Sequence, residues 1–360
     1  MKKILALILA GCMVLSMAAC GGSETAAPTE ENTATTEETK EEAPAEKAEE
    51  TAEEVAAEVP AGGKVGVCIY KFDDAFMTTY RNALQAILEE KGYEVSVVDG
   101  NNDQAKQTEQ VNTFITQGVD ALIINPVMTS AADTIIAAVK QANIPTVLIN
   151  REPTAEQMAA YDKLVYVGCD AAQSGTFQGE EIAELENKGD ADGDGVVRYI
   201  MVQGDPENVD AQYRTEFSIK ALTDAGIEVE ELVKMRGDWD QTKGQEITAN
   251  ALAQHGAKID VVFCNNDAMA LGALQAIEAA GRTVNKDIYL VGVDALVEAV
   301  ENVMNDKMTG TVFNDYLGQA HTAADRAMDF VNGKDVKNVY MVDYVKVTKD
   351  NAAEILELVK

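Results

Sequence analysis

The side chains best suited to chemistry in this sequence are Asp and Asn residues set directly after short apolar runs. Tyr70 leads to Asp73-Asp74 and Ile124 to Asn125. Val202 leads through Gly204 to Asp205, Asn208 and Asp210, with Arg214 nearby. Cys264 leads to Asn265-Asn266-Asp267, Val293 to Asp294, and Phe313 to Asn314-Asp315. Carboxylates accept hydrogen bonds and amides both donate and accept, so together they suit an uncharged, polyhydroxylated ligand. The same residues also cap helices. Capping leaves unexplained why Phe76 and Trp239, the single Trp of the chain, lie in the same class of loop.

A second constellation is Asp190-Ala191-Asp192-Gly193-Asp194-Gly195-Val196. Asp at positions one, three and five, Gly at six and a backbone carbonyl at seven is the ligand order of a calcium loop. Oxygen-only ligands suit a hard cation such as Ca2+. Two positions break the pattern: Arg198 stands at position nine and Met201 at position twelve. The competing reading is an acidic, Gly-rich turn.

Other chemistries find little support. No GxGxxG or GxxxxGK[ST] loop occurs to cradle phosphates, and no GxSxG or HExxH. His255 and His321 fall inside helical patterns rather than at strand ends. Cys68, Cys169 and Cys264 form no CxxC and are odd in number, so buried free thiols are expected. A formal net charge of −32 is opposite to the basic footprint of nucleic-acid binding. The pair Asp73/Asp74 could serve glycoside hydrolysis, but it also sits where a binding protein places acceptors for hydroxyls.

The elements that position these residues alternate. About eleven apolar runs, from Val65–Tyr70 to Met341–Val347, are separated by helical stretches such as Met77–Glu90, Thr242–His255 and Ala268–Ala280. Strands apolar throughout imply parallel sheets covered on both faces. That number exceeds what one compact sheet normally carries. The expected fold is α/β, with two doubly wound parallel-sheet lobes. Ligands of such sheets bind outside the carboxyl ends of the strands, where the Asp and Asn residues lie.

The first sixty residues read as an address and a tether. Lys2 and Lys3 precede an apolar run from Ile4 to Ala19, as in a secretory signal. Met17-Ala18-Ala19-Cys20 resembles a bacterial lipobox, in which the Cys is lipidated and becomes the mature N-terminus. Leu9-Ala10-Gly11-Cys12 is a rival box that would leave a very short apolar region, and an uncleaved anchor is a further alternative. Residues 21–60 hold 13 Glu against 2 Lys with almost no aliphatic bulk, a composition for a charge-extended, disordered tether.

Three stretches carry a resemblance: Ile69-Tyr70-Lys71-Phe72-Asp73-Asp74-Ala75-Phe76-Met77, Asn265-Asn266-Asp267-Ala268-Met269-Ala270 and Gly292-Val293-Asp294-Ala295-Leu296. They are similar to the galactose/glucose-binding proteins of bacterial ABC sugar importers, a branch of the type I periplasmic binding proteins, and the similarity runs over nearly all of 64–358. The resemblance implies two lobes joined by a three-segment hinge with one sugar in the cleft. The divisions expected are a signal peptide at 1–20, a tether at 21–60, an N-terminal lobe of 61–144 and 316–342, and a C-terminal lobe of 145–315 and 343–360. Hinges are expected near Ala142–Pro145, Asn314–Leu317 and Val342–Val345. The resemblance further implies that Phe76 and Trp239 sandwich the pyranose, while Asp74, Asn125, Asp210, Arg214, Asn266, Asp294 and Asn314 hydrogen-bond its hydroxyls. The family's usual His is Asn208 here, which leaves the particular sugar open. Asp260 matches the distant carboxylate that would complete a structural calcium site with Asp190, Asp192, Asp194 and Val196.

The expected activity is therefore monosaccharide capture, galactose or glucose first and ribose, xylose or an autoinducer as alternatives, by a monomer lipid-anchored through Cys20 to the outer face of the cell membrane. The implied partners are a membrane permease of an ABC importer and, further, a chemoreceptor. A repressor effector domain shares the architecture, but the chain offers a lipid signal and an acidic tether in place of a DNA-binding headpiece.

Overall fold

The computed structural model describes residues 63–360, so the signal peptide, the tether and Cys20 lie outside the described residues. The chain begins with β1 (Lys64–Ile69), α1 (Ala75–Glu90), β2 (Glu94–Asp99), α2 (Gln104–Gln117), β3 (Ala121–Ile124), α3 (Ala132–Gln141), β4 (Thr146–Ile149), α4 (Ala155–Ala159) and β5 (Leu164–Gly168). It continues with α5 (Ala171–Ala183), β6 (Val197–Gln203), α6 (Val209–Asp224), β7 (Val229–Arg236), α7 (Gln241–His255), β8 (Val261–Cys264), α8 (Asp267–Ala279), β9 (Tyr289–Val291), α9 (Val297–Met304) and β10 (Thr311–Phe313). Last come α10 (Tyr316–Val331), β11 (Val339–Met341), β12 (Val345–Val347) and α11 (Ala352–Val359).

Two sheets result. The first has the order β11-β5-β4-β3-β1-β2 with every neighbouring pair parallel. The second has the order β7-β6-β8-β9 and is extended by parallel bridges, Val291 to Gly310 and Asp294 to Phe313, toward β10. β10 in turn pairs antiparallel with β12, the one departure from an all-parallel arrangement among the described strands. The central strands β3, β4 and β8 are buried along their whole length, which is why they read as unbroken apolar runs rather than as alternating patterns.

The helices show the complementary logic. Asp74 caps α1 by accepting from the Met77 amide at 2.7 Å. One face of that helix then buries Phe76, Met77, Tyr80, Leu84, Ile87 and Leu88 against the sheet and α10. The three remaining thiols, Cys68, Cys169 and Cys264, are free and buried.

The chain passes between the sheets at Cys169-Asp170, at Asn314-Asp315 and at Val342–Tyr344. The first of these corrects the expected boundary at 144/145 and the hinge at Ala142–Pro145. β4 stays in the first sheet, with Leu122 opposite Thr146 and Ile124 opposite Leu148, and β5 continues it. Pro145, just before β4, is compatible with this pairing, because proline is tolerated at the start of a strand. Its carbonyl begins the pairing by accepting from the Leu122 amide at 3.0 Å. α10 and β11 pack on the first sheet, while β12 and α11 lie with the second lobe.

Candidate functional site

The carboxyl ends of strands from both sheets open onto one shared cavity, the place where open parallel sheets bind their ligands. Nine of the ten residues expected at a sugar site line it: Asp74, Phe76, Asn208, Asp210, Arg214, Trp239, Asn266, Asp294 and Asn314. Their placement follows from local structure. Asp74, Asn208 and Asn266 are the N-caps of α1, α6 and α8. Capping and lining are therefore not rival readings, because one side chain does both. Asp74 accepts from Met77 through Oδ1 and from the Tyr70 hydroxyl through Oδ2 at 2.6 Å. Asn208 accepts from the Asp210 amide at 2.8 Å. Asp210 and Arg214 lie one turn apart on α6 and so share a face.

Trp239 is held differently. It and Asp238 have positive φ, 64° and 52°. Its ring lies flat enough on Gly204 that a Cβ there would stand 2.3 Å from a ring carbon. The Asn266 amide donates to the Trp239 carbonyl at 3.4 Å. Phe76 projects from the opposite lobe, packed edge-on against Tyr80. The cavity thus receives aromatic rings from both lobes.

Arg214 organises the charge. It is 4% exposed and donates to the Ser174 hydroxyl, the Asn265 carbonyl and the Tyr344 hydroxyl at 3.2, 2.8 and 2.9 Å. Its guanidinium nitrogens stand 3.6 Å from Asp210 and 3.9 Å from Asp294. Burial opposes the Arg214 charge, but Tyr344, Asp210 and Asp294 outweigh it and hold the pKa above the usual value. Burial raises the pKa of Asp210 and raises that of Asp294 well above the carboxylate range, with Arg214 opposing both. Asp294 also accepts from the Asn314 amide at 3.4 Å, and Asn314 accepts from Gln319 at 2.7 Å. Such partly desolvated acceptors form strong bonds to hydroxyl donors and penalise a ligand that leaves them unpaired.

Asn125 is the expected residue that does not line the cavity. It sits at the carboxyl end of β3, fully buried. Its side chain accepts from the Tyr70 amide at 3.3 Å and donates to Asn150 at 3.1 Å. It braces lining residues from behind. Four lining residues escaped the sequence reading: Tyr70, Met77, Asn150 and Arg151. Arg151 is buried, its guanidinium 3.9 Å above the Tyr70 ring, and it donates to the Val127 carbonyl. Asn150-Arg151 directly follows β4, so the strand-end rule would have found the pair had it been applied to that strand.

The acidic loop Asp190–Val196 joins α5 to β6 on the second lobe. Carboxylate oxygens of Asp190, Asp192 and Asp194 come within 4.8 Å of one another. Calcium takes about 6–8 oxygens, so these three carboxylates would need the further expected ligands to complete that set. Both oxygens of buried Asp260 accept backbone amides, from Ala191 at 3.1 Å and Arg198 at 2.8 Å. At position nine the Arg198 guanidinium, which has no acceptor, donates to Asp194 at 2.7 Å.

Two lobes, three crossing segments and a polar, aromatic-flanked cavity between strand ends define a solute-binding protein of the two-lobed kind. The chain belongs to the periplasmic binding protein family, whose domain model matches residues 65–335. It is 35% identical to the D-galactose/methyl-galactoside binding periplasmic protein MglB of Haemophilus influenzae, over 82% of this chain and 93% of that one. It is 30% identical to the ribose import binding protein RbsB of Bacillus subtilis, over 76% of this chain and 83% of that one. Among solved structures it resembles an ABC transporter solute binding protein from Bacillus halodurans with bound myo-inositol. That likeness has a TM-score of 0.74 and 31% identity, covering 82% of this chain and 98% of that one. These relatives are substrate-binding proteins, and the chain is a binding protein rather than an enzyme.

Proposed function

We propose that the cleft captures a single monosaccharide in its pyranose form, galactose or glucose, and that the protein presents it to the permease of an ABC importer. The observation that carries this reading is the pairing of Phe76 and Trp239, one from each lobe, around a cavity lined by Asp74, Asp210, Arg214 and Asp294. Flat apolar faces suit the C–H faces of a six-membered ring, and the charged and amide groups suit its hydroxyls. A ligand touching both lobes favours the closed arrangement through contacts that the open one lacks. A cyclic polyol such as myo-inositol is the second reading. It is favoured by the solved relative with that ligand and by Asn208, which can both donate and accept, in place of the family's His.

Trp239, the single Trp, provides the test. Its emission should change saturably with galactose or glucose under the first reading and with myo-inositol under the second. Ribose should act only at far higher concentration. No response to any six-membered ring would overturn both readings. Lipid attachment through Cys20 is part of the proposal, and Cys20→Ala should release the protein from the membrane fraction. Retention of the variant there would reject lipidation.

A further inference from the structure

We infer that the Arg198 guanidinium is the built-in cation of the Asp190–Val196 loop, so that this lobe holds its shape without a metal ion. The loop has the backbone of a cation-binding turn. Gly193 and Gly195 take φ of 80° and 95°, which glycine adopts at little cost. Asp190 accepts from the amides of Gly193 and Gly195 at 2.7 and 2.9 Å. Asp192 accepts from Asp194 at 3.1 Å, and Asp194 from Val196 at 3.0 Å. These amide bonds gather three carboxylates without neutralising them, and like charges so close require a counter-charge.

Arg198 provides it. The residue is the second of β6 and lies in register with Glu230 on β7. One guanidinium nitrogen stands 2.7 Å from Asp194 and 4.0 Å from Asp192, while Nε donates to Glu230 at 2.9 Å. The planar fork lets one cation serve the loop and the neighbouring strand together. In a calcium loop position nine supplies an oxygen, often through water. Here it supplies positive charge on an oxygen that calcium would need. Asp260, meanwhile, is occupied in tying the Ala191 and Arg198 amides to the base of β8.

The experiment is thermal unfolding of the full chain, followed by circular dichroism, in calcium chloride and in a chelator. The wild-type midpoint should be the same in both. Arg198→Gln should lower the midpoint in chelator by about 2 °C or more. Calcium should then raise it, because Gln restores an oxygen at position nine. A wild-type midpoint that falls in chelator would overturn the inference, as would an R198Q protein that matches wild type in chelator or ignores calcium. Should R198Q fail to fold, Asp194→Asn reads the same contact from the other side. It should lower the wild-type midpoint in chelator, and an unchanged midpoint would count against the inference.

Discussion

Replacing Arg214 with Met, which keeps much of the side-chain length but removes the charge, tests how the cleft tolerates its buried acids. The change deletes hydrogen bonds to Ser174, Asn265 and Tyr344. It leaves Asp210 and Asp294, 3.6 and 3.9 Å from the lost guanidinium, without their nearest cation. Breaking a buried ion pair by removing one partner costs about 3–5 kcal/mol, a large share of the roughly 5–15 kcal/mol that holds a domain folded. The cost should depend on pH in a definite sense. Both carboxyls already have folded pKa values raised by burial, with Arg214 holding them down. Without it they rise further. A group whose folded pKa is raised contributes stability below its unfolded pKa and loses it as pH rises through the folded one. The deficit of R214M should therefore be smaller at about pH 5 than at about pH 8. Urea unfolding at the two pH values, followed by circular dichroism, measures it. A cost under about 1 kcal/mol, or one that does not change with pH, would refute the account of the buried carboxylates.

Glu181 on α5 is buried, and neither of its oxygens finds a hydrogen-bond partner of good geometry among the described residues. Burial raises its pKa well above the ordinary value, and Lys346 and the Val347 amide offset only part of that. Ionisation then disfavours the fold, so Glu181→Gln should raise the melting temperature by an amount that grows as pH rises; a constant or shrinking gain would contradict this. Gly204→Ala should push the Trp239 ring off its seat, since the new methyl would stand 2.3 Å from it. The expected cost is about 1–3 kcal/mol in stability, with a shift in Trp emission, and an unchanged spectrum would show that the ring is not fixed by that contact.

Particular residues show what the sequence reveals and what it hides. The alternation of apolar runs and helices is a local property, so β1 to β10 and their helices can be read directly. Pairing is not local, which is why the lobe boundary was expected at 144/145, a placement that only the register of β4 against β3 corrects. Strand ends mark where a ligand can sit, and Asp74, Asp210, Asp294 and Asn314 were legible on that ground. Which way a strand-end side chain turns depends on neighbours far along the chain. Asn125 turns inward to Tyr70 and Asn150. Arg151, 26 positions later in the sequence, turns into the cavity because the Tyr70 ring and the Val127 carbonyl hold it there. Arg198 carried a visible signal at position nine of the acidic loop, and its partner Glu230 became apparent only once β6 and β7 were paired.

On the proposed reading one six-membered polyhydroxylated ring lies between Phe76 and Trp239. Isothermal titration calorimetry with galactose, glucose and myo-inositol on the wild type, Phe76→Ala and Trp239→Ala tests it most directly. One site per chain is expected for at least one of these ligands. Each variant should lose about tenfold or more in affinity, about 1.4 kcal/mol per tenfold. Binding that is unaffected by removing either ring, or no binding of any of the three, would contradict it.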